Sequence, residues 1–129
     1  MHYLECIALL NYQLKKLCAG QRTQVPVSVA DETLQTLMNI QTLLGDNVAE
    51  LTMRINDIMR AIGIVNSTKG LVVLSETMKK TLVDGLTEIH DNICLKAFDY
   101  YKVNDFEPTE QIIPVMRRVV SVALEKGVI

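Results

Sequence analysis

The sequence predicts an all-α fold: an elongated four-helix bundle built on a long antiparallel helical hairpin, with shorter helices at the N- and C-terminal ends. Three observations carry that expectation. Apolar residues recur at spacings of three and four along most of the chain, the period of one helix face. The six glycines stand singly, mostly where those stripes stop. Only Gly70–Leu74 has the character of a strand, and no second β-rich run is present to pair with it, so a strand is not expected there. At 129 residues the chain makes a single helical domain over 1–129, able to bury roughly two-thirds of the surface its unfolded form exposes.

The first helix is expected over about 2–18. Tyr3, Ile7, Leu10, Leu14 and Leu17 follow one another at intervals of 4, 3, 4 and 3, and Ala19-Gly20 ends the stripe. Gln21–Val27, with Pro26, reads as a connection. Ser28-x-x-Asp31 has the spacing of a capping box, which starts a second helix near Val29. Leu34, Leu37, Gln41, Leu44, Val48, Leu51, Ile55, Ile58 and Ile62 then alternate intervals of 3 and 4 without a slip, four heptads in all. Gly45-Asp46 has the residues of a helix stop followed by a helix start, yet the phase is the same on both sides. A break rotates one segment against the other, so one helix over 29–63 is expected, the glycine costing about 1 kcal/mol against alanine.

A third helix is expected over 68–102, with Leu71, Leu74, Met78, Leu82, Leu86, Ile89, Ile93, Ala97 and Tyr100 on one face; Ser75 is the alternative N-cap. Asn104-Asp105 interrupts the chain. Pro108-Thr109-Glu110 has the residues of a helix start, giving a last helix over 108–126 with Ile112, Met116, Val119 and Ala123 inward and Lys126-Gly127 at its close. Pro114 requires a kink or a start at that position.

The hairpin of the second and third helices is long for this chain. A helix of about 34 residues extends about 50 Å at 1.5 Å per residue, whereas a compact domain of this size is roughly 36 Å across. Two short flanking helices leave part of it uncovered, and Met38, Ile40, Leu43, Met53 and Met59 are the apolar residues expected to meet another chain. A homodimer is the expectation.

Charge and composition exclude several functional classes. The net charge is −2 with 22% charged residues, distributed as +2 over 1–28, −3 over 29–66, 0 over 67–104 and −1 over 105–129. No segment carries the basic stripe that neutralises a row of phosphates, so nucleic acid is not an expected partner. The longest uncharged stretch, Thr33–Gly45, has 13 residues, short of the roughly 20 a membrane span needs. The residues from Met1 lack a signal-peptide pattern, and Cys6, Cys18 and Cys94 form no C-x-x-C pair. A cytoplasmic protein with its three cysteines kept as small buried hydrophobes is expected.

The residues that carry chemistry are sparse. His90 and Cys94 lie four apart, with Glu88 and Asp91 nearby, a two-ligand beginning of a metal site. An exposed helix histidine beside a buried cysteine accounts for the same pattern, and no metal or other cofactor is expected. No nucleophile elbow, phosphate-binding glycine loop or Glu-x-x-His pair occurs, so no catalytic residue is assigned. Arg54 and Arg60 beside Asp57 read as a solvated ion-pair face. Arg117 and Arg118 point about 100° apart on a helix and are read as surface.

Two features remain as candidate partner or ligand surfaces. Phe98, Tyr100, Tyr101 and Phe106 place four of the six aromatics within nine residues, either a docking patch or the closure of a small core. Gln41 is the one polar residue in the long stripe, fixing register if buried, lining a pocket, or exposed where the stripe thins. Together these features predict a non-enzymatic helical interaction module, an adaptor, assembly subunit or small regulator, whose partner is another protein or itself. The alternative is a bundle holding a small molecule or metal in a pocket between helices, drawing on His90, Cys94, Gln41 and the tyrosines.

Overall fold

Helix α1, Tyr3–Ala19, carries its apolar stripe into the middle of the molecule. Ile7, Leu10 and Leu17 are fully buried, with Tyr3 and Leu14 packed against the same core. Each such burial of a large aliphatic side chain contributes about 2 kcal/mol. In this computed structural model, which describes residues 3–19, 24–44, 53, 57, 71–73 and 75–129, α1 packs against every other described helix. After it come strand β1, Gln24–Pro26, helix α2, Val27–Leu44, strand β2, Leu71–Val73, helix α3, Glu76–Tyr101, and helix α4, Ile112–Glu125. The described residues are thus predominantly helical. No described helix is long and apolar enough to cross a membrane.

Contrary to expectation, a strand forms within Gly70–Leu74. β1 and β2 pair antiparallel, with Gln24 opposite Val73, Val25 opposite Val72 and Pro26 opposite Leu71. The partner strand escapes periodicity because it is three residues long and ends in proline, a residue confined to edges and strand ends because it cannot donate to a ladder. The pair ties together the starts of two helices. β1 leads directly into α2, which begins at Val27 rather than Val29 and takes Ser28 inside the helix. β2 precedes Ser75, whose hydroxyl accepts a hydrogen bond from the Met78 N–H at 3.1 Å. Ser75 is therefore the N-cap of α3, which starts at Glu76 rather than residue 68.

α3 is 26 residues long, about 39 Å at 1.5 Å per residue, close to the diameter of a compact domain of this size. The overhang expected of a helix over 68–102 is absent from it. Its buried face runs through Leu82, Leu86, Ile89, Ile93 and Ala97 as the spacing predicts, but Tyr100 leaves that face and is 67% exposed. Whether α2 runs on through Gly45 lies outside the described residues, as do Arg54 and Arg60; Asp57 is exposed. Of the residues expected uncovered, Met38 and Met53 are exposed, whereas Ile40 is fully buried. The Leu43 side chain and Met59 lie outside the described residues.

The buried face of α2 also differs from the heptad reading. Thr33, Thr36, Leu37 and Ile40 are buried and Gln41 is exposed, so Leu37 keeps its expected place and Gln41 does not, while the Leu34 and Leu44 side chains lie outside the described residues. A polar contact lies at this buried face. The Thr36 hydroxyl donates to the Glu32 carbonyl at 2.8 Å and accepts from the Gln13 Nε2 amide of α1 at 2.8 Å. With its hydroxyl doubly satisfied, a threonine occupies an interface that a hydropathy pattern reserves for leucine.

α4 begins four residues later than expected, at Ile112. Pro114 is its third residue, and the first helical bond runs from Val115 N–H to Gln111 C=O at 3.3 Å. The proline therefore takes the last position at which a helix has no internal acceptor for its N–H. Residues 107–110 form a separate turn in which Glu110 N–H donates to Glu107 C=O at 3.0 Å and Glu107 N–H donates to the Glu110 carboxylate at 2.8 Å. At the other end, Gly127 adopts φ +68°, its N–H bonding Leu124 C=O and Val128 N–H bonding Ala123 C=O. That double bond is a Schellman stop, as Lys126-Gly127 predicts, and it sends Ile129 back onto the core.

Arg118 fixes the turn before α4. Its guanidinium donates to both oxygens of Glu110, at 2.6 and 3.3 Å, and to the Asp105 carbonyl at 3.3 Å. The Arg118 hydrogen bond, followed by the Glu107 N–H, holds the Glu110 carboxyl below its ordinary value. A lowered folded-state pKa stabilises above the unfolded value and is lost as pH falls through the folded one. Replacing Arg118 by Gln is expected to move the Glu110 titration, followed by carboxyl carbon NMR, up toward the ordinary glutamate range. The Glu107 amide resonance is expected to follow the same midpoint.

Candidate functional site

The aromatic end of α3 is assembled by a left-handed residue. Lys102 takes φ 50° at the helix C-terminus, where Lys102 N–H bonds Asp99 C=O and Val103 N–H bonds Phe98 C=O, each at 3.3 Å. The reversal brings Phe106 back over Phe98, ring centroids 5.4 Å apart at an interplanar angle of 63°. Both rings are half-buried. On the neighbouring surface Tyr3 of α1 meets Tyr100 at 5.3 Å and Tyr101 at 6.4 Å, and the two α3 tyrosines lie 4.9 Å apart, edge to face. The four residues thus divide in two. The phenylalanines and the half-buried Tyr101 close the core, while Tyr100 stands on the surface. Burial, then the neighbouring Tyr100 and Tyr3 hydroxyls, push the Tyr101 phenol up from its ordinary pKa.

His90 is fully buried rather than exposed. Its Nδ1 is 2.9 Å from the Asp91 carboxylate, and the Cys94 Sγ lies 3.9 to 4.0 Å from both ring nitrogens. Among the described residues no three His, Cys, Asp or Glu side chains come together as a metal would require. Burial, with the Asp91 charge second, pushes the Cys94 thiol up to about 12, against the thiolate that ligation or nucleophilic attack needs. Burial likewise raises the Cys6 thiol to about 11. Cys18 departs from the expectation for all three cysteines, because it is exposed on α1.

The cleft between α1 and α2 is not signalled by the apolar pattern. It holds about 510 Å³ and is lined by Leu9, Tyr12, Gln13, Glu32, Gln35 and Thr36, among others. Leu9 and Tyr12 are its exposed apolar wall, and the Lys16 ammonium lies over the Tyr12 ring, 4.9 Å from the centroid. The Tyr12 hydroxyl helps hold that ammonium's pKa up. Gln13 is almost wholly buried at the edge of the cleft. Its amide orientation is set by Thr36, whose single hydroxyl proton is committed to Glu32, so Nε2 must be the atom that faces it. Its carbonyl oxygen is left with no hydrogen-bond partner among the described residues, an arrangement that costs about 1–3 kcal/mol. Gln13 falls on the buried face with Leu10 and Leu17, and that placement is the signal that identifies it. Gln41, on the exposed side of α2, does not line this cleft.

Tyr101→Ala is expected to lower stability by about 1–2 kcal/mol through lost ring contacts and burial. Tyr100→Ala is expected to cost less than half as much, and chemical denaturation of the two variants measures the difference. Equal losses would place Tyr100 in the core. Comparison of the chain with family models, curated proteins and solved structures finds no match in any of the three.

Proposed function

We propose that the protein is a non-enzymatic helical interaction module, acting in the cytoplasm, that pairs with a second copy of itself through the α1–α2 cleft. The observation that carries this reading is the cleft's construction. Its wall is made of exposed Leu9 and Tyr12, and a buried carbonyl at its edge has no partner among the described residues. Such a surface suits helix-in-groove recognition, in which an apolar helix face fills a channel between two helices. Met38, exposed on α2, extends the apolar area beyond the cleft. The exposed Tyr100 and Gln41 supply polar-tipped contacts on other faces, as an adaptor with more than one partner would use.

Sedimentation equilibrium across the micromolar range tests the reading. A dimer is expected, and Leu9→Glu is expected to weaken it by about a hundredfold, because a carboxylate would be buried without a partner. The melting temperature of the monomer should be unchanged, Leu9 being on the surface. A compact monomer at high micromolar concentration, or a dimer indifferent to Leu9→Glu, contradicts it.

A further inference from the structure

α1 and α4 enclose a second cleft, of about 260 Å³, whose charged lining among the described residues is entirely cationic. Lys15 reaches it from α1 and Arg117 from α4, joined by Asn11 and Ser121. Among the described residues no carboxylate lines it. Neither cation has an ion pair or hydrogen bond among the described residues, in contrast to Arg118, which is committed to Glu110 and Asp105. The nearby Asp91 is bonded to His90 and lines a different cleft. The floor is apolar, formed by the buried Ile7 and Val120.

Two cations lining one small cavity, neither of them paired among the described residues, favour an anion between them. The planar guanidinium of Arg117 matches a carboxylate in a two-point contact, and the Lys15 ammonium adds a second charge. Asn11 and Ser121 supply neutral donors. An inorganic ion would leave the Ile7 and Val120 floor wet, whereas an acid with a short hydrocarbon body covers it. The volume lies just below the roughly 300–1,000 Å³ typical of drug-sized ligands, which limits the body to a few carbons. We infer that the α1–α4 cleft is a binding site for a small organic carboxylate with an apolar tail, its head held by Arg117 and Lys15.

Amide NMR of the full chain, titrated with sodium hexanoate at constant ionic strength, reads this site directly. Saturable shifts are expected within 7–15 and 117–124. Hexanol and inorganic phosphate should each bind at least tenfold more weakly, one lacking the charge and the other the tail. Arg117→Gln and Lys15→Gln should each weaken hexanoate by about tenfold or more, the worth of a charge-assisted hydrogen bond, whereas Arg118→Gln should not. Both altered residues are exposed, and thermal melting confirms that each variant is folded. Absence of saturation, phosphate or hexanol binding as well as hexanoate, or undiminished binding by folded Arg117→Gln would overturn the assignment.

Discussion

Burial of α1 against three neighbouring helices is the constraint on which the other elements depend. Ile7, Leu10 and Leu17 point into a core completed by Leu37 and Ile40 of α2, by Leu86, Ile89 and Ile93 of α3, and by Met116 and Val120 of α4. α2 has α1 as its main helical neighbour among the described residues, while α3 and α4 also pack on one another. A helix surrounded in this way must be apolar over much of its circumference, or must satisfy the polar groups it buries. α1 does both, with Gln13 bonded to Thr36 across the interface with α2.

That polar contact joins α1 to α2 at the cleft between them, which both of its residues line. Thr36 and Thr33 turn inward, Gln41 turns outward, and Leu9 and Tyr12 are left lining an open channel. α4 is held by its own end structures: the Arg118 clamp on Glu110 before it and the Gly127 stop after it. Adjacent arginines on one helix thereby acquire different environments, Arg118 facing the preceding turn and Arg117 facing α1. Exposed ion pairs of this kind contribute little to stability; the Arg118 contact matters for where it places the chain.

Much of the helical architecture is legible in the sequence where burial is purely apolar. The 4-3-4-3 spacing of α1, the Leu82–Ala97 face of α3 and the Lys126-Gly127 stop all follow from side-chain period and glycine's access to positive φ. What escapes is decided by polar or tertiary partners. The β1–β2 pair is too short for a period-2 pattern and forms because each strand finds a partner far along the chain, Val25 pairing with Val72 at the centre of the register. In α2, hydropathy assigns Thr33 and Thr36 to solvent, and both are buried. His90 is buried beside Cys94 because α3 is enclosed on more than one side, a property that no local spacing encodes. The clustering of the aromatic residues is visible in the sequence, but their division into core rings and a surface tyrosine depends on the reversal at Lys102.

Native-state hydrogen exchange tests the central position of α1 most directly, because amides in the last structure to open exchange only through global unfolding. Amides within Ile7–Leu14 are expected to exchange as slowly as those of Leu86–Ile93 in α3, with the same dependence on denaturant. Exchange of the α1 amides through a separate opening of lower free energy, while α3 stays protected, would contradict the account.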